Sequence, residues 1–250
     1  MRYFLEFAYN GKQYYGWQRQ PKDISVQQVM EERLSTMLRE PVSLTGAGRT
    51  DTGVHARQMF AHFDMAKEIP GDFLHRINAF LPQDIYVYHL HKVAETAHAR
   101  FDALSRTYYY FVQIHKNPFN FDSTWQVNYE LDVSKMNEAA QFLLGRKDFS
   151  SFAKIHTDVK THICDLSFAQ WNRSEKGGLL QFTITADRFL RNMVRAVTGT
   201  LVDVGKGKIS LEEFNFIIEK KDRSFASGSA PAQGLFLAEV KYPPSIFINE

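Results

Sequence analysis

The stretch Ser25-Val-Gln-Gln-Val-Met-Glu-Glu-Arg-Leu-Ser-Thr-Met-Leu-Arg-Glu-Pro-Val-Ser-Leu-Thr-Gly-Ala47 sets the reading of the fold. Ser25 with Gln28 three residues later is a capping-box pattern, the mark of a helix start. Val26, Val29, Met30, Leu34, Met37 and Leu38 then recur at helical spacing until Pro41 stops the run. Val42–Ala47 reads as a short strand. On the N-terminal side, residues 2–9 mix apolar and β-prone side chains and run into Asn10-Gly11, a turn signal. On the C-terminal side, Met59, Ala61, Phe63 and Met65 alternate and predict a second strand. Phe73, Leu74, Ile77, Phe80 and Leu81 predict a short helix that Pro82 stops, and Ile85–Val93 reads as another strand. The order is β-α-β-β-α-β, the ferredoxin-like split motif.

The rest of the chain repeats this rhythm with elaboration. Thr107–Ile114 and Thr124–Tyr129 read as strands around Asn117-Pro118, and Ser134–Leu144 as a helix closed by Gly145. Lys160–Trp171 and Leu179–Ala186 read as a hairpin across a turn containing Gly177-Gly178. A helix is expected from Phe189, with Leu190, Val194, Val197, Leu201 and Val204 at helical spacing and Gly205 after it. Ser210-Leu-Glu-Glu213 opens another helix through a capping box, and Leu235–Lys241 is a last strand. The expected architecture is α+β: two ferredoxin-like-derived halves, mainly antiparallel sheet with helices packed on it. Their expected extents are 1–103 and 104–250. Residues 48–57 and 149–160 read as long loops, where function tends to sit.

Composition sets the broad class. A chain of 250 residues with 44% apolar and 23% charged side chains is an ordinary globular chain, one large domain or two small ones. A single cysteine, Cys164, leaves no internal disulfide framework and no cysteine cage for zinc. The N-terminus lacks a basic region followed by a long apolar core, so no signal peptide is expected. No apolar run approaches the ~20 residues of a membrane span. A soluble, cytoplasmic protein is expected. Thirty Lys and Arg against 28 Asp and Glu give a net charge of +2, short of the strongly basic balance of a dedicated nucleic-acid binder. Any nucleic-acid surface would come from uneven distribution. Strand alternation accounts for His89 and His91; with His98 they make no metal motif on a helix. Asp84 reads as a turn residue, Cys164 as a buried strand residue, and Lys220-Lys221-Asp222-Arg223 as a polar helix end.

The most informative loop is Gly46-Ala-Gly-Arg-Thr-Asp-Thr-Gly-Val-His-Ala56. It lacks the Gly-Lys-Ser/Thr ending of a phosphate-cradling loop and has no G-x-G-x-x-G. By turn chemistry alone, Asp51 is an Asx-turn or capping residue. However, Gly48-Arg49-Thr50-Asp51-Thr52-Gly53-Val54-His55 resembles the signature of TruA-type tRNA pseudouridine synthases, with Thr52 where the family usually has Ala. Further blocks match in order: Tyr14-Tyr-Gly-Trp-Gln-Arg-Gln20, His98-Ala-Arg-Phe101, Ser105-Arg-Thr-Tyr108, Asp148-Phe-Ser-Ser-Phe152, Asn192-Met-Val-Arg195 and Gly234-Leu-Phe-Leu237. The resemblance spans nearly the whole chain.

That resemblance implies isomerisation of uridine to pseudouridine in the anticodon stem-loop of tRNA, at positions 38, 39 and 40, in a cleft between the two halves. The reaction has no redox change and takes in no outside atom, so no cofactor and no metal are implied. Asp51 matches the family's essential aspartate. Arg195 matches the guanidinium that would keep it ionised. With Arg188 and Arg191 it would share one helix face at i, i+3 and i+7, a face otherwise read as solvated. Tyr108 is implied as the partner that stacks on uracil, and Leu235 as an apolar wall; both residue types in strands are equally ordinary core. The target base must be extruded to reach Asp51, and Arg49, two residues away, is placed to fill the gap. Phosphate contacts are assigned to Arg100, Lys116, Lys154 and Lys160, with His98 and Phe101 nearby, though each alone also reads as a solvated charge or surface residue. A homodimer is implied. The alternative is an inactive RNA-binding or RNA-folding module on the same scaffold; retention of Asp51, Tyr108 and Arg195 together favours the enzyme.

Overall fold

The computed structural model describes residues 1–155, 159–174 and 178–248. Gly177 of the expected hairpin turn lies outside them. The chain divides into two compact units, Met1–Leu104 with Phe236–Glu250, and Ser105–Leu235.

The first unit contains β1 (Arg2–Tyr9), α1 (Val26–Leu38), β2 (Thr45–Gly46), β3 (His55–Asp64), α2 (Phe73–Phe80) and β4 (Ile85–Val93). β1 pairs antiparallel with β3 on one side and β4 on the other, and β2 takes the outer edge of β3. This is the split arrangement expected from the element order. Ser25 caps α1, its side chain accepting from the Gln28 N–H at 3.2 Å. Arg39 ends the helix in the left-handed conformation, with φ 56°. β2 is shorter than the expected 42–47 for a local reason. The Val42 N–H donates to Ser35 Oγ at 2.8 Å and the Leu44 N–H to Glu31 Oε1 at 2.9 Å. Side chains of α1 thus take the donors a strand ladder would use.

The last strand, β10 (Leu235–Lys241), runs parallel to β3 from Phe236 onward, with Phe236 opposite His55 and Leu237 opposite Ala56. The expected second half, 104–250, therefore differs at its end: residues 236–248 belong to the first unit, with Phe236 and Leu237 pairing with β3. The segment also covers its sheet. Cross-strand partners place Tyr3, Leu5 and Phe7 on one face with Phe63, Ala61 and Met59. Phe7 packs there on Trp17 at 5.3 Å between ring centres. On the other face Tyr242 lies edge-on to Phe4 at 5.3 Å and to Phe60 at 5.1 Å. Tyr3, Leu5, Phe7, Phe4 and Phe60 are buried, and each fully buried aromatic contributes about 1.5–3 kcal/mol of hydrophobic stabilisation.

The second unit contains β5 (Ser105–Gln113), β6 (Trp125–Gln126), α3 (Val133–Gln141), β7 (Gly145–Asp148), β8 (Ile163–Arg173), β9 (Leu179–Ala186), α4 (Met193–Gly205) and α5 (Leu211–Lys220). Its antiparallel sheet runs β5-β9-β8-β7, and β6 adds in parallel to β5. Leu180, Phe182, Ile184 and Ala186 alternate along β9 and are fully buried. The capping box of α5 is complete: Ser210 Oγ accepts from the Glu213 N–H at 3.1 Å, and Glu213 Oε2 accepts from the Ser210 N–H at 2.7 Å. β7 has no β-prone residues and is a strand because Gly145, at φ 87°, turns the chain onto the edge of β8.

α4 begins later than the apolar spacing predicts. Asn192 adopts φ 66° and breaks the backbone before Met193. Arg188 and Arg191 therefore precede the helix and do not share a helix face with Arg195, which corrects that expectation. Among the described residues, no helix is long and apolar enough to cross a membrane.

Candidate active site

Asp51 lies half-buried in the loop between β2 and β3, outside any ladder. The loop is clamped by the segment after β1. The Trp17 N–H donates to the Thr50 carbonyl at 3.3 Å, and the Gly53 N–H donates to the Tyr14 carbonyl at 3.3 Å. The Tyr9 and Thr50 hydroxyls share a hydrogen bond of 2.8 Å. Two glycines permit this closeness. A Cβ at Gly16, whose φ is +83°, would lie 2.3 Å from the Thr50 carbonyl oxygen, and one at Gly11 would lie 2.0 Å from that of Val54. Within the loop the Val54 N–H donates to the Asp51 carbonyl at 3.1 Å, closing a turn in which Gly53 has φ 77°. The downstream end is fixed by His55, which is 2% exposed. Its Nδ1 accepts from the Gly11 N–H at 3.1 Å, and its ring stacks on Phe236 at 4.4 Å. The Asp51 side chain thus starts from a backbone fixed on both sides.

The clamp has its own support. The Tyr14 hydroxyl donates to Asp84 Oδ1 at 2.7 Å, and the Asp84 carbonyl accepts from the Asn10 N–H at 2.8 Å. Burial, then the Asp84 hydrogen bond, holds the Tyr14 phenol well above its ordinary range. Asp84 is more than the turn residue its sequence context suggests: it anchors the clamp across a separation of 70 residues.

In the second unit, alternation along β5 leaves Tyr108 and Tyr110 on one face, and burial separates them. Tyr110 is fully buried and donates to the Pro231 carbonyl at 2.7 Å. Tyr108 is half-buried, with its ring edge-on to Phe189 at 5.2 Å. Arg195, on the first turns of α4, is held twice by Ala230. Its Nε donates to the Ala230 carbonyl at 2.7 Å, and its own carbonyl accepts from the Ala230 N–H at 2.9 Å. The Ala226-Ser-Gly-Ser-Ala230 segment lies against α4 so closely that a Cβ on Gly199 would sit 2.0 Å from the Gly228 carbonyl oxygen. Asn192 reinforces it by donating to Ser229 Oγ at 2.6 Å. Leu235 is 6% exposed at the start of β10, a burial that suits an apolar wall and core alike.

The family model described as tRNA pseudouridine synthase matches residues 7–102 and 139–243. The chain belongs to that family. A tRNA pseudouridine synthase A of Porphyromonas gingivalis is 50% identical to the enzyme over 250 residues, covering 99% of each chain. Those of Parabacteroides distasonis and Bacteroides fragilis are 49% and 50% identical over 249 residues, covering 98% of each chain.

The remaining residues read from the enzyme's sequence fall into separate groups. Arg49 is exposed in the same loop as Asp51. His98, Arg100 and Phe101 form one turn: His98 packs on Phe101 at 4.3 Å, and the Arg100 guanidinium lies 5.6 Å from the Phe101 ring centre. Phe101 is 74% exposed, an unusual state for a phenylalanine. Buried His62 holds this turn, its Nδ1 accepting from the Ala99 N–H at 3.1 Å. Lys116, Lys154 and Lys160 are exposed. Lys154 borders an open groove of about 520 Å³ with Asn192, Arg223 and Gly228. Nothing in the sequence marks Tyr9 or Ser229, and Arg223, expected only as part of a polar helix end, donates to the Ala226 carbonyl at 3.0 Å and to Ser229 Oγ at 3.2 Å. Asn192 stands inside a matched block, so its role was within reach; Tyr9 and Ser229 act through partners distant in sequence.

Proposed function

We propose that the enzyme isomerises uridine at positions 38, 39 and 40 of the tRNA anticodon stem-loop, with Asp51 as the reacting carboxylate. Isomerisation of uridine in tRNA follows from its family; the positions and residue roles are this reading. The observation that carries it is the Asp51 loop, held by backbone hydrogen bonds and two glycine close approaches while the carboxylate itself stays half-buried.

In the reaction the bond from ribose C1′ to uracil N1 breaks, the uracil turns, and C1′ bonds to C5. The C5 proton leaves and N1 gains one, so atoms balance without an outside reactant. Asp51 either adds covalently or stabilises developing positive charge and accepts a proton. Arg195 would keep Asp51 ionised by favouring the charged form; its double tether to Ala230 fits a side chain that must hold one position. Tyr108 would stack on the extruded uracil and Leu235 would wall it. Arg49 would occupy the space the base leaves. His98, Arg100, Phe101, Lys116, Lys154 and Lys160 would carry backbone and stacking contacts. The chemistry needs no metal or cofactor. A homodimer working in the cytoplasm completes the reading.

The test maps pseudouridine in tRNA transcripts incubated with the pure protein, beside Asp51→Asn. We expect conversion at positions 38–40 by the parent, and turnover below a few per cent with near-parent tRNA affinity for the variant. Residual turnover above that level removes Asp51 from the chemistry. Modification confined to other positions removes the anticodon assignment.

A further inference from the structure

We propose that Glu6, His89 and His91 form a binding site for a divalent transition-metal ion of the zinc class, independent of the isomerisation site. Glu6 of β1 is the direct cross-strand partner of His89 on β4, and strand alternation places His91 on the same face. Glu6 Oε2 lies 3.1 Å from His89 Nδ1 and 3.2 Å from His91 Nε2. One ligand atom from each of the three lies within 4.8 Å of the others. Ligands at ~2.0–2.1 Å from a tetrahedral zinc ion stand about 3.3 Å apart, so the two carboxylate–imidazole distances already match such edges. Small side-chain rotations bring in the third.

The carboxylate is prepared for this. Gln58 Nε2 donates to Glu6 Oε1 at 2.7 Å, and Gln58 Oε1 accepts from the Val240 N–H at 2.9 Å. One oxygen is therefore engaged by a fixed amide while the other is aimed at both imidazoles, the outer support that metal carboxylates characteristically have. Phe247 packs edge-on to the His91 ring at 5.1 Å and limits its rotation. Side-chain exposures of 16% for Glu6, 33% for His91 and 63% for His89 leave an open outer side for entry and for solvent ligands. Two imidazoles with one carboxylate suit zinc, cobalt, nickel or copper, whereas magnesium and calcium favour all-oxygen sets.

The experiment uses the full-length chain without an affinity tag, stripped by chelator and titrated with zinc chloride by calorimetry; cobalt supplies a visible absorption readout. We expect one zinc per chain and a cobalt spectrum typical of nitrogen–oxygen ligation. His89→Gln and His91→Gln should each weaken binding at least tenfold. Gln58→Leu should weaken it by ~10–100-fold through the carboxylate it orients. His89 is exposed enough that its variant folds, so it decides even if the others do not. Binding should weaken on acidification, because imidazole must be unprotonated to ligate. Absence of saturable binding overturns the proposal, as does stoichiometric binding that survives the double His89→Gln, His91→Gln substitution.

Discussion

Replacing Gly16 with alanine should damage the enzyme out of proportion to the one methyl group added. Gly16 has φ +83°, and its new Cβ would stand 2.3 Å from the Thr50 carbonyl oxygen and 3.1 Å from the Asp51 carbonyl carbon. The left-handed conformation costs about 1–2 kcal/mol for a residue with a Cβ. Forcing an extra carbon into a packed contact costs about 1–3 kcal/mol more. Together the variant should lose about 2–5 kcal/mol of stability if the loop stays in place. Relief comes only by moving the Thr50 carbonyl by roughly 1 Å, which also breaks its hydrogen bond from the Trp17 N–H and carries the next residue, Asp51, with it. A misplacement of that size costs on the order of 10²-fold in rate. The assay is single-turnover tritium release from tRNA labelled at uridine C5, with filter binding and thermal unfolding alongside. Gly48→Ala in the same loop is the control, because no atom lies within 4 Å of its added Cβ and its backbone is not left-handed. We expect Gly16→Ala to lose about two orders of magnitude in rate with little change in affinity, and Gly48→Ala to keep its rate. If Gly16→Ala releases tritium within threefold of the parent, the Gly16–Thr50 contact does not position Asp51.

Three further outcomes are expected. If Arg195 acts on Asp51 as proposed, Arg195→Ala should lower the single-turnover rate more than tRNA affinity; a parent-like rate would remove Arg195 from the chemistry. If Arg49 fills the vacated space as proposed, Arg49→Lys should bind tRNA yet brighten a fluorescent base analogue at the target less than the parent does, because a point charge cannot replace the planar guanidinium there; parent-like brightening would make Arg49 an ordinary phosphate ligand. Burial, then the nearby Arg2 and His98 charges, pushes His62 down to about 4 from an ordinary 6.5, against the opposing pull of Asp64 and Asp102. The unfolded chain then binds the extra proton first, so stability should fall as pH drops from 6.5 to about 4 and level off below. Urea midpoints across that window in the parent and in His62→Gln check this, and identical slopes would discount it.

What could be read along the chain was whatever short-range rules decide. Ser25 and Ser210 mark helix starts because a cap needs only its own next three residues. β4, β9 and β10 begin and end where their apolar and turn residues say. The Asp51 loop was visible because its glycines, Arg49 and Asp51 are contiguous, and the ordered blocks around it carried the family. Failures came where a distant or non-apolar group took over a backbone position. β2 shrank because Glu31 and Ser35 captured its donors, and α4 started late because Asn192 turned left-handed. Tyr108 and Tyr110 looked alike until the Pro231 carbonyl claimed the Tyr110 hydroxyl. Sequence alone thus determined the α+β element order and the family, both of which rest on local periodicity or contiguous residues. Only tertiary structure decided that residues 236–248 complete the first unit, that Gly16 makes room for the backbone beside Asp51, and that Glu6 meets two histidines 83 and 85 residues away. Strand register and close packing bring those residues together, and neither follows from any one segment's own pattern.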